Sequence, residues 1–190
     1  ADTVNVTTTL LLANSNTTAT IDFGAGTDNL AVGNSISSLV DADLRGLSNG
    51  ETFTFGTGTN SATLGTNAAA AFSSVVGVGG AETITLEAAQ TAISLGDGVD
   101  TINTTQTLMT ANSNTTNTID FGGDTDILAF SANTTGVEDA DFRGIENVET
   151  LTLGTGTNSV TLGSIAATAG IVTINSNTGA DTINAASAVT

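Results

Sequence analysis

An internal duplication is the feature that most limits what this chain can fold into. Two long segments recur at an offset of 98 residues, with 16 of 22 and 18 of 25 positions identical: Thr9–Leu30 with Thr107–Leu128, and Asp41–Gly65 with Asp139–Gly163. Such periodicity is typical of repetitive proteins in which each unit contacts only its neighbours. We therefore expect two units, residues 1–98 and 99–190, that form one continuous rod with its two ends in phase.

The composition restricts both the partners and the core. The chain has 19 acidic residues, two basic ones and a formal net charge of −17 at pH 7. This balance argues against nucleic acid, whose phosphates require Lys and Arg, and against anionic lipid surfaces. No apolar run is long enough to insert into a membrane, and hard cations such as calcium are the natural counter-charge. With no Trp or Tyr and only seven Phe, the core is expected to be thin and aliphatic.

Short strands dominate the predicted secondary structure. Thr or acidic residues alternate with apolar residues, and this period of two indicates strands with one buried face. The predicted strands are Thr18–Phe23, Glu51–Phe55, Glu82–Leu86, Thr118–Phe121, Glu149–Leu153 and Ser159–Leu162. Helical signals are weak, and Ser37–Leu47 and Leu86–Ile93 are expected to hold at most a turn each. The chain is therefore predicted to be all-β.

A recurring turn separates these strands. It consists of glycine, one or two small residues and then Asp, Asn or Glu, as in Gly24–Asp28, Gly79–Glu82 and Gly96–Asp100. Glycine supplies a positive φ without steric cost, and Asx side chains bond to nearby amides. Successive acidic or Asn positions are 18 to 32 residues apart, which fits one coil of a β-solenoid of the parallel β-helix or β-roll type. Tandem β-sandwich domains, one per unit, are the alternative fold.

These turns resemble the calcium-binding glycine-and-aspartate (RTX-like) repeats of secreted bacterial proteins, in which GGxGxD followed by an apolar residue forms a parallel β-roll. Gly96–Ile102 is the closest match, and Gly24–Leu30 and Gly122–Leu128 are looser ones. The segment Gly144–Leu151 resembles sequences beside such repeats in bacterial S-layer proteins and large adhesins. The resemblance implies export through a one-step secretion channel and a surface-layer or adhesive role outside the cell. The family's tandem nonapeptides are absent, so isolated calcium sites are expected rather than dense loading.

Calcium is the expected cofactor if these turns bind metal. The ion takes about six to eight oxygen ligands, which turn carboxylates and backbone carbonyls can supply. The candidate ligands are Asp28, Asp97, Asp100, Asp124, Asp126, Asp181 and Glu82. The alternative is that each side chain only bonds its own turn amides and stays solvated.

The only two arginines occupy equivalent positions, each two residues after a pair of acids. The expected clamp residues are Asp41, Asp43 and Arg45 in the first unit and Asp139, Asp141 and Arg143 in the second. An intramolecular Arg–carboxylate pair that fixes a loop is the favoured interpretation. A salt bridge to a neighbouring subunit or to a cell-surface glycan is the alternative.

The residue inventory argues against an enzyme. Without His, Cys, Lys or Tyr the chain has no ordinary nucleophile–base pair, and it lacks the Trp and Tyr that usually hold sugars in glycosidases. Thr-x-Thr rows such as Thr83–Thr85 and Thr150–Thr152 look like the hydroxyl-bearing faces of ice-binding solenoids, although Thr is also an ordinary strand residue.

The expected function is structural: a self-assembling extracellular protein that forms a filament, sheath or surface layer by head-to-tail stacking of its own copies. The assembly residues are expected to be Asp2, Val4, Val6 and Leu10 at one end and Asp181, Ile183 and Val189 at the other. A calcium-binding segment of a large secreted adhesin is the alternative, followed by an ice-binding solenoid.

Overall fold

The chain forms short β-strands joined by glycine-rich turns. The computed structural model describes residues 1–7, 9, 11, 20–33, 35–113 and 117–186. Every pairing between described strands is parallel. The structure is mostly β, as predicted, and antiparallel tandem sandwiches do not match this pairing.

Two large sheets and two small ones contain the strands. Sheet I has seven strands, in sheet order β1 Thr3–Val6, β3 Asn29–Val32, β5 Thr52–Thr54, β7 Ser74–Val76, β9 Ala92–Ser94, β11 Thr118–Asp120 and β13 Ile145–Glu146. Sheet II has six, in sheet order β6 Asn60–Leu64, β8 Glu82–Leu86, β10 Thr101–Thr104, β12 Ile127–Phe130, β14 Thr150–Thr152 and β16 Thr173–Asn175. The small sheets are sheet III, β15 Ser159–Leu162 with β17 Thr182–Ala185, and sheet IV, β2 Ile21–Asp22 with β4 Leu47–Ser48. Sheets I and II both cross the boundary between the two sequence units.

Each strand pairs with the strand that lies one circuit further along the chain. The shortest circuit places Val75 beside Ile93, and the longest ones, such as that from Ile119 to Ile145, take 26 residues. From β7 to β14 the chain alternates between sheets I and II, so each circuit adds one strand to both sheets. The predicted spacing of 18 to 32 residues includes the observed circuit lengths of 18 to 26. The 32-residue steps, Asp28 to Asn60 and Asp126 to Asn158, instead lead from one sheet to another.

The 98-residue sequence unit does not correspond to a whole number of circuits. β1 lies in sheet I, but β10, which is its equivalent 98 residues later, lies in sheet II. The same holds for three other pairs of equivalent strands. β5 lies in sheet I and β14 in sheet II; β4 lies in sheet IV and β13 in sheet I; β6 lies in sheet II and β15 in sheet III. Residues that are equivalent in sequence thus lie on different faces of the molecule.

Three short α-helices in the described residues depart from the prediction, which placed no helix there. They are α1 Thr66–Ala71, α2 Gln106–Ser113 and α3 Ser164–Ala169. Two 3₁₀ turns, Asp41–Leu44 and Asp139–Phe142, lie at equivalent positions in the two units, the first of them within the predicted segment Ser37–Leu47. No helix in the described part is both long and apolar enough to cross a membrane.

The core consists of like residues stacked on like residues. The inward column of sheet I is Leu30, Phe53, Val75, Ile93, Ile119 and Ile145. The inward column of sheet II is Ala62, Ile84, Ile102, Leu128, Leu151 and Ile174. All except Ile174 are buried in one hydrophobic cluster, and each buried Val, Leu, Ile or Phe contributes roughly 1.5–3 kcal/mol. This is the thin, mainly aliphatic core that the composition predicts.

Glycines at the corner between sheets I and II let neighbouring circuits touch through their backbones. A Cβ atom on Gly98 would overlap the carbonyl oxygen of Gly80, and a Cβ on Gly80 would overlap that of Gly58. Gly98 also has a φ of +135°, which side chains rarely adopt. The small residues of the recurring turn are therefore required by contact between circuits as well as by the local turn.

We predict that Gly98→Ala lowers the free energy of unfolding by about 1–3 kcal/mol or more, because it adds a steric overlap to an unfavourable φ. Gly33→Ala is the matched control, since nothing lies within 4 Å of its Cβ position. Urea denaturation followed by circular dichroism measures both variants. Equal stability of the two variants would contradict the close contact between circuits.

Candidate functional site: a ladder of buried carboxylates

Acidic or amide side chains mark the beginning of most strands. Each lies at the first residue of a strand or directly before it, and parallel strands begin at the same edge of a sheet. The residues that stack along the beginning of sheet II are Asn60, Glu82, Asp100, Asp126 and Glu149. We call these five residues the carboxylate ladder.

Hydrogen bonds join each step of the carboxylate ladder to the next. The backbone N–H of Glu82 donates to Asp100 Oδ1 at 2.7 Å, and the N–H of Asp100 donates to Asp126 Oδ1 at 2.7 Å. The N–H of Asp126 then donates to Glu149 Oε2 at 2.9 Å, and Asn60 Nδ2 donates to Glu82 Oε1 at 2.7 Å. One oxygen of each carboxylate thus connects two consecutive circuits.

The other oxygen of three of these carboxylates has no partner. Glu82 is 1% exposed, and Asp100 and Asp126 are 0% exposed. Their atoms Glu82 Oε2, Asp100 Oδ2 and Asp126 Oδ2 form no hydrogen bond with the described residues. Because a buried ionised carboxylate without a counter-charge is costly, the ladder requires a proton or a cation.

Burial shifts the acidity of these groups. It raises the pKa of Asp100 to about 7, and although the N–H of Glu82 opposes this shift, the negative charges of Glu82 and Asp124 support it. Burial likewise raises the pKa of Asp126 to about 6, and it raises that of Glu82 despite the hydrogen bond from Asn60. The ladder therefore holds protons near neutral pH, in positions where neighbouring carboxyl groups can share them.

Two shorter ladders use the same bond. Along sheet I, the N–H of Asp2 donates to Asp28 Oδ1 at 2.6 Å and the N–H of Asp28 to Glu51 Oε2 at 2.6 Å. Along sheet III, the N–H of Asn158 donates to Asp181 Oδ1 at 3.0 Å. Asp28 and Asn158 are buried, and the N-terminal amine of the chain lies 3.9 Å from Asp28 Oδ1.

The predicted metal ligands fall into separate places. Glu82, Asp100 and Asp126 lie together in the carboxylate ladder, whereas Asp28 and Asp181 lie in the two shorter ladders. The remaining two, Asp97 and Asp124, are exposed at the turns before sheet II, where Asp97 pairs with Gly123 through the backbone and Asp124 Oδ2 accepts the N–H of Gly98 at 3.2 Å. Among the described residues, no three acidic side chains are placed to hold one metal ion.

Sequence reasoning missed Glu51, Asn60, Glu149 and Asn158 as members of these ladders. Asn60 and Asn158 are the last residues of the two GTGTN turns, and each is 1% exposed. Their side-chain oxygens accept the N–H groups of Ile36 and Thr134, each at 2.9 Å, and so perform the same task as a carboxylate. The available signal was the acidic or amide residue that directly precedes each alternating strand.

The paired acids of the expected clamp act on the backbone. Asp41 accepts the N–H groups of Gly65, Asn67 and Ala68 at 2.8, 3.0 and 2.9 Å and so caps the first turn of α1 on the next circuit. Asp139 caps α3 in the same way. Asp43 and Asp141 instead bond within their own 3₁₀ turns, to the N–H groups of Val40 and Glu138 at 3.0 Å.

Both capping carboxylates are held in their charged form. Burial alone would raise the pKa of Asp139, but the N–H groups of α3 and the charge of Arg143 lower it below the ordinary value. The pKa of Asp41 is lowered likewise, because the hydrogen bonds from α1 outweigh its burial. A direct pair between either Arg and these acids stays a prediction.

We predict that the protein is more stable at pH 5 than at pH 8. The folded pKa values of Asp100 and Asp126 exceed the unfolded value near 4, so the stabilisation is fully present below about pH 4 and is lost as the pH rises through about 6 to 7. Asp100→Asn should flatten this dependence, because an amide needs no proton and its Oδ1 still accepts the N–H of Glu82. Thermal melting between pH 5 and 8 measures the effect, with exposed Asp97→Asn as the control. A pH dependence that is unchanged in Asp100→Asn would contradict this assignment.

We predict that Asp41→Ala lowers the free energy of unfolding by about 1–3 kcal/mol, because it leaves the first N–H groups of α1 without acceptors. Asp139→Ala should cost a similar amount at α3. Urea denaturation of both variants measures this, and a negligible change in both would show that the helices need no cap from the preceding circuit.

The fold and these ladders are the available guides to function: no protein-family model, no curated protein and no solved structure matches the chain.

Proposed function

We propose that this chain is a structural, self-assembling extracellular protein in which the stacked circuits form a β-solenoid rod. Support comes from the wholly parallel pairing of the described strands, from circuits of 18 to 26 residues, and from a single core cluster that runs through both units. In such a rod each circuit contacts only the circuits before and after it, so a further circuit can be added at either end.

The observation that carries this proposal is an open end at the last described circuit. Ile183 of β17 pairs with Val160 of β15, and both belong to the same inward column. Val160 is 0% exposed, whereas Ile183 is 37% exposed in the last described circuit. All four residues of β17 are exposed. Val172, directly before the edge strand β16 of sheet II, is exposed as well. An uncovered strand edge with open core positions is a template for the addition of another strand.

The first circuit supplies a segment that fits such an edge. Residues Asp2–Asn5 read DTVN, and Asp100–Asn103 and Asp181–Asn184 both read DTIN. The strand β10, which contains most of the second of these segments, stacks on β8 inside the rod. β1 is the first strand of sheet I, and its Val4 and Val6 face the core. We therefore propose that β1 of one copy stacks on the last circuit of another.

Asp2 and Asp181 are proposed to continue the ladders across this junction. Within the chain, a backbone N–H of one circuit donates to the carboxylate of the next, as in the bond from Asn158 to Asp181. Head-to-tail contact of this kind joins two different surfaces, so it produces an open filament unless the rotation closes a ring. The proposed assembly residues Leu10 and Val189 lie outside the described residues.

Calcium is proposed as a further stabiliser of the rod. The unpartnered oxygens of Glu82, Asp100 and Asp126 are hard ligands of the kind that calcium prefers, and the chain carries a net charge of −17. Calcium and protons would compete for these oxygens, because metal binding requires the ionised carboxylate. The proposal includes a location on the bacterial cell surface and contact with surface glycan. The alternative is that the chain is a segment of a large adhesin.

Electron microscopy of the purified chain, with millimolar calcium and with chelator, tests the proposal. Filaments or sheets are expected from the natural sequence. Deletion of residues 1–6 and the substitution Ile183→Lys should each abolish them while circular dichroism still reports β-structure. Val78→Lys is the matched control, since Val78 is similarly exposed (45%) but lies in the middle of the rod.

Each outcome has a defined meaning. Polymers that persist in both end variants would contradict stacking at these ends. If polymers form equally well with chelator, the proposed assembly stands and the proposed role of calcium is wrong. Monodisperse monomers in both conditions would contradict self-assembly and favour the adhesin segment.

A further inference from the structure

The outer face of sheet II carries two columns of side chains in unbroken register, and eight of these twelve residues are Ser or Thr. The first column is Ser61, Thr83, Thr101, Ile127, Thr150 and Thr173. The second column is Thr63, Thr85, Asn103, Ala129, Thr152 and Asn175. All twelve positions are half-buried or exposed. We call these twelve residues the hydroxyl face.

The hydroxyl face is uncharged although the chain has 19 acidic residues. The outer side of sheet I differs, because Asp120 and Glu146 stack there. The acidic residues of sheet II are instead at the strand beginnings, where their side chains are withdrawn into the carboxylate ladder. A surface without charge in so acidic a protein fits a neutral partner better than an ion or a charged polymer.

The side chains of the hydroxyl face are fixed and available. Neighbouring strands lie about 4.8 Å apart, and alternate residues of one strand about 6.6 Å apart, so the side chains form a two-dimensional grid. Ile127 and Ala129 are the two apolar positions in it, both on β12. Thr is stiff at χ1, which limits the positions that each hydroxyl can occupy. The hydroxyls of Thr83, Thr85, Thr150 and Thr152 make no hydrogen bond with another described residue. By contrast, the hydroxyl of Thr54 on sheet I already donates to Asn29 Oδ1 at 2.9 Å.

Water in an ordered lattice matches this chemistry. Each hydroxyl offers one donor and two acceptor positions, and a water molecule offers two of each, so a hydroxyl can take a place in a hydrogen-bonded water lattice. Each Thr methyl group favours removal of disordered liquid from the contact. A neutral sugar surface fits less well, because the hydroxyl face has no aromatic ring on which a sugar could stack and the chain has no Trp or Tyr. We propose that the hydroxyl face of sheet II binds ice.

Segments that are equivalent in sequence, 98 residues apart, lie on different sheets, and this provides a matched pair of variants. Thr150–Thr152 lies on sheet II, and its sequence equivalent Thr52–Thr54 lies on sheet I. Thr152→Lys therefore places a charge in the hydroxyl face, whereas Thr54→Lys places the same charge in the same local motif on another face. Thr85→Lys gives a second variant within the hydroxyl face.

Inhibition of ice recrystallisation, together with uptake of the fluorescently labelled full chain into growing ice, is the test. The natural sequence and Thr54→Lys should be active, and Thr152→Lys and Thr85→Lys should require a concentration higher on the order of tenfold. Thermal melting of all variants distinguishes a variant that has lost ice binding from one that no longer folds.

An inactive natural sequence would overturn the proposal, and so would equal activity of all variants. Binding to crystalline chitin or cellulose that is lost in Thr152→Lys, without activity on ice, would replace ice with a polysaccharide surface. These readouts do not depend on filament formation, so they are independent of the proposed assembly.

Discussion

The bond from a backbone N–H to a carboxylate one circuit further on is the interaction on which the rest of the architecture depends. Circuits vary from 18 to 26 residues, yet the inward residues of successive strands align. The alignment is kept because most strands begin beside an acidic or amide side chain, and those in the ladders bond to the strand stacked on them. The loops absorb the difference in length, and the register is set again at each of these strands.

This arrangement has an electrostatic cost, because it removes carboxylates from water. Buried acids with no basic residue nearby are stable only when protons or cations neutralise them. The capping acids Asp41 and Asp139 solve the opposite problem, since the N–H groups of a helix terminus favour their charged form. A single residue type therefore has a raised pKa where burial dominates and a lowered pKa where the N–H groups directed at it outweigh its burial.

Local patterns in the sequence predict several of the strands and few of the longer-range features. The strands Glu82–Leu86 and Ser159–Leu162 have the predicted boundaries, or nearly so, because period-two alternation is visible within five residues. The helix α1 is not predicted by local patterns, because its cap is distant in sequence: Asp41 lies 24 residues before Gly65, whose N–H it accepts. The candidate acids Asp100 and Asp126 are identified from their turns, but their union in one buried ladder, and the exposure of Asp97, follow only from the pairing of circuits.

The mismatch between the sequence unit and the circuits has a geometric consequence for any longer array of the same unit. Four strand pairings in sheet I lead from β1 to β9. The strand that is equivalent to β1 in the second unit is β10, which lies in sheet II and not in sheet I. Each added unit would present its GTGTN turns and capped helices rotated by one face relative to the unit before. Successive units would therefore present these features on different sheets, so that a partner that recognises one unit could bind the array on more than one face.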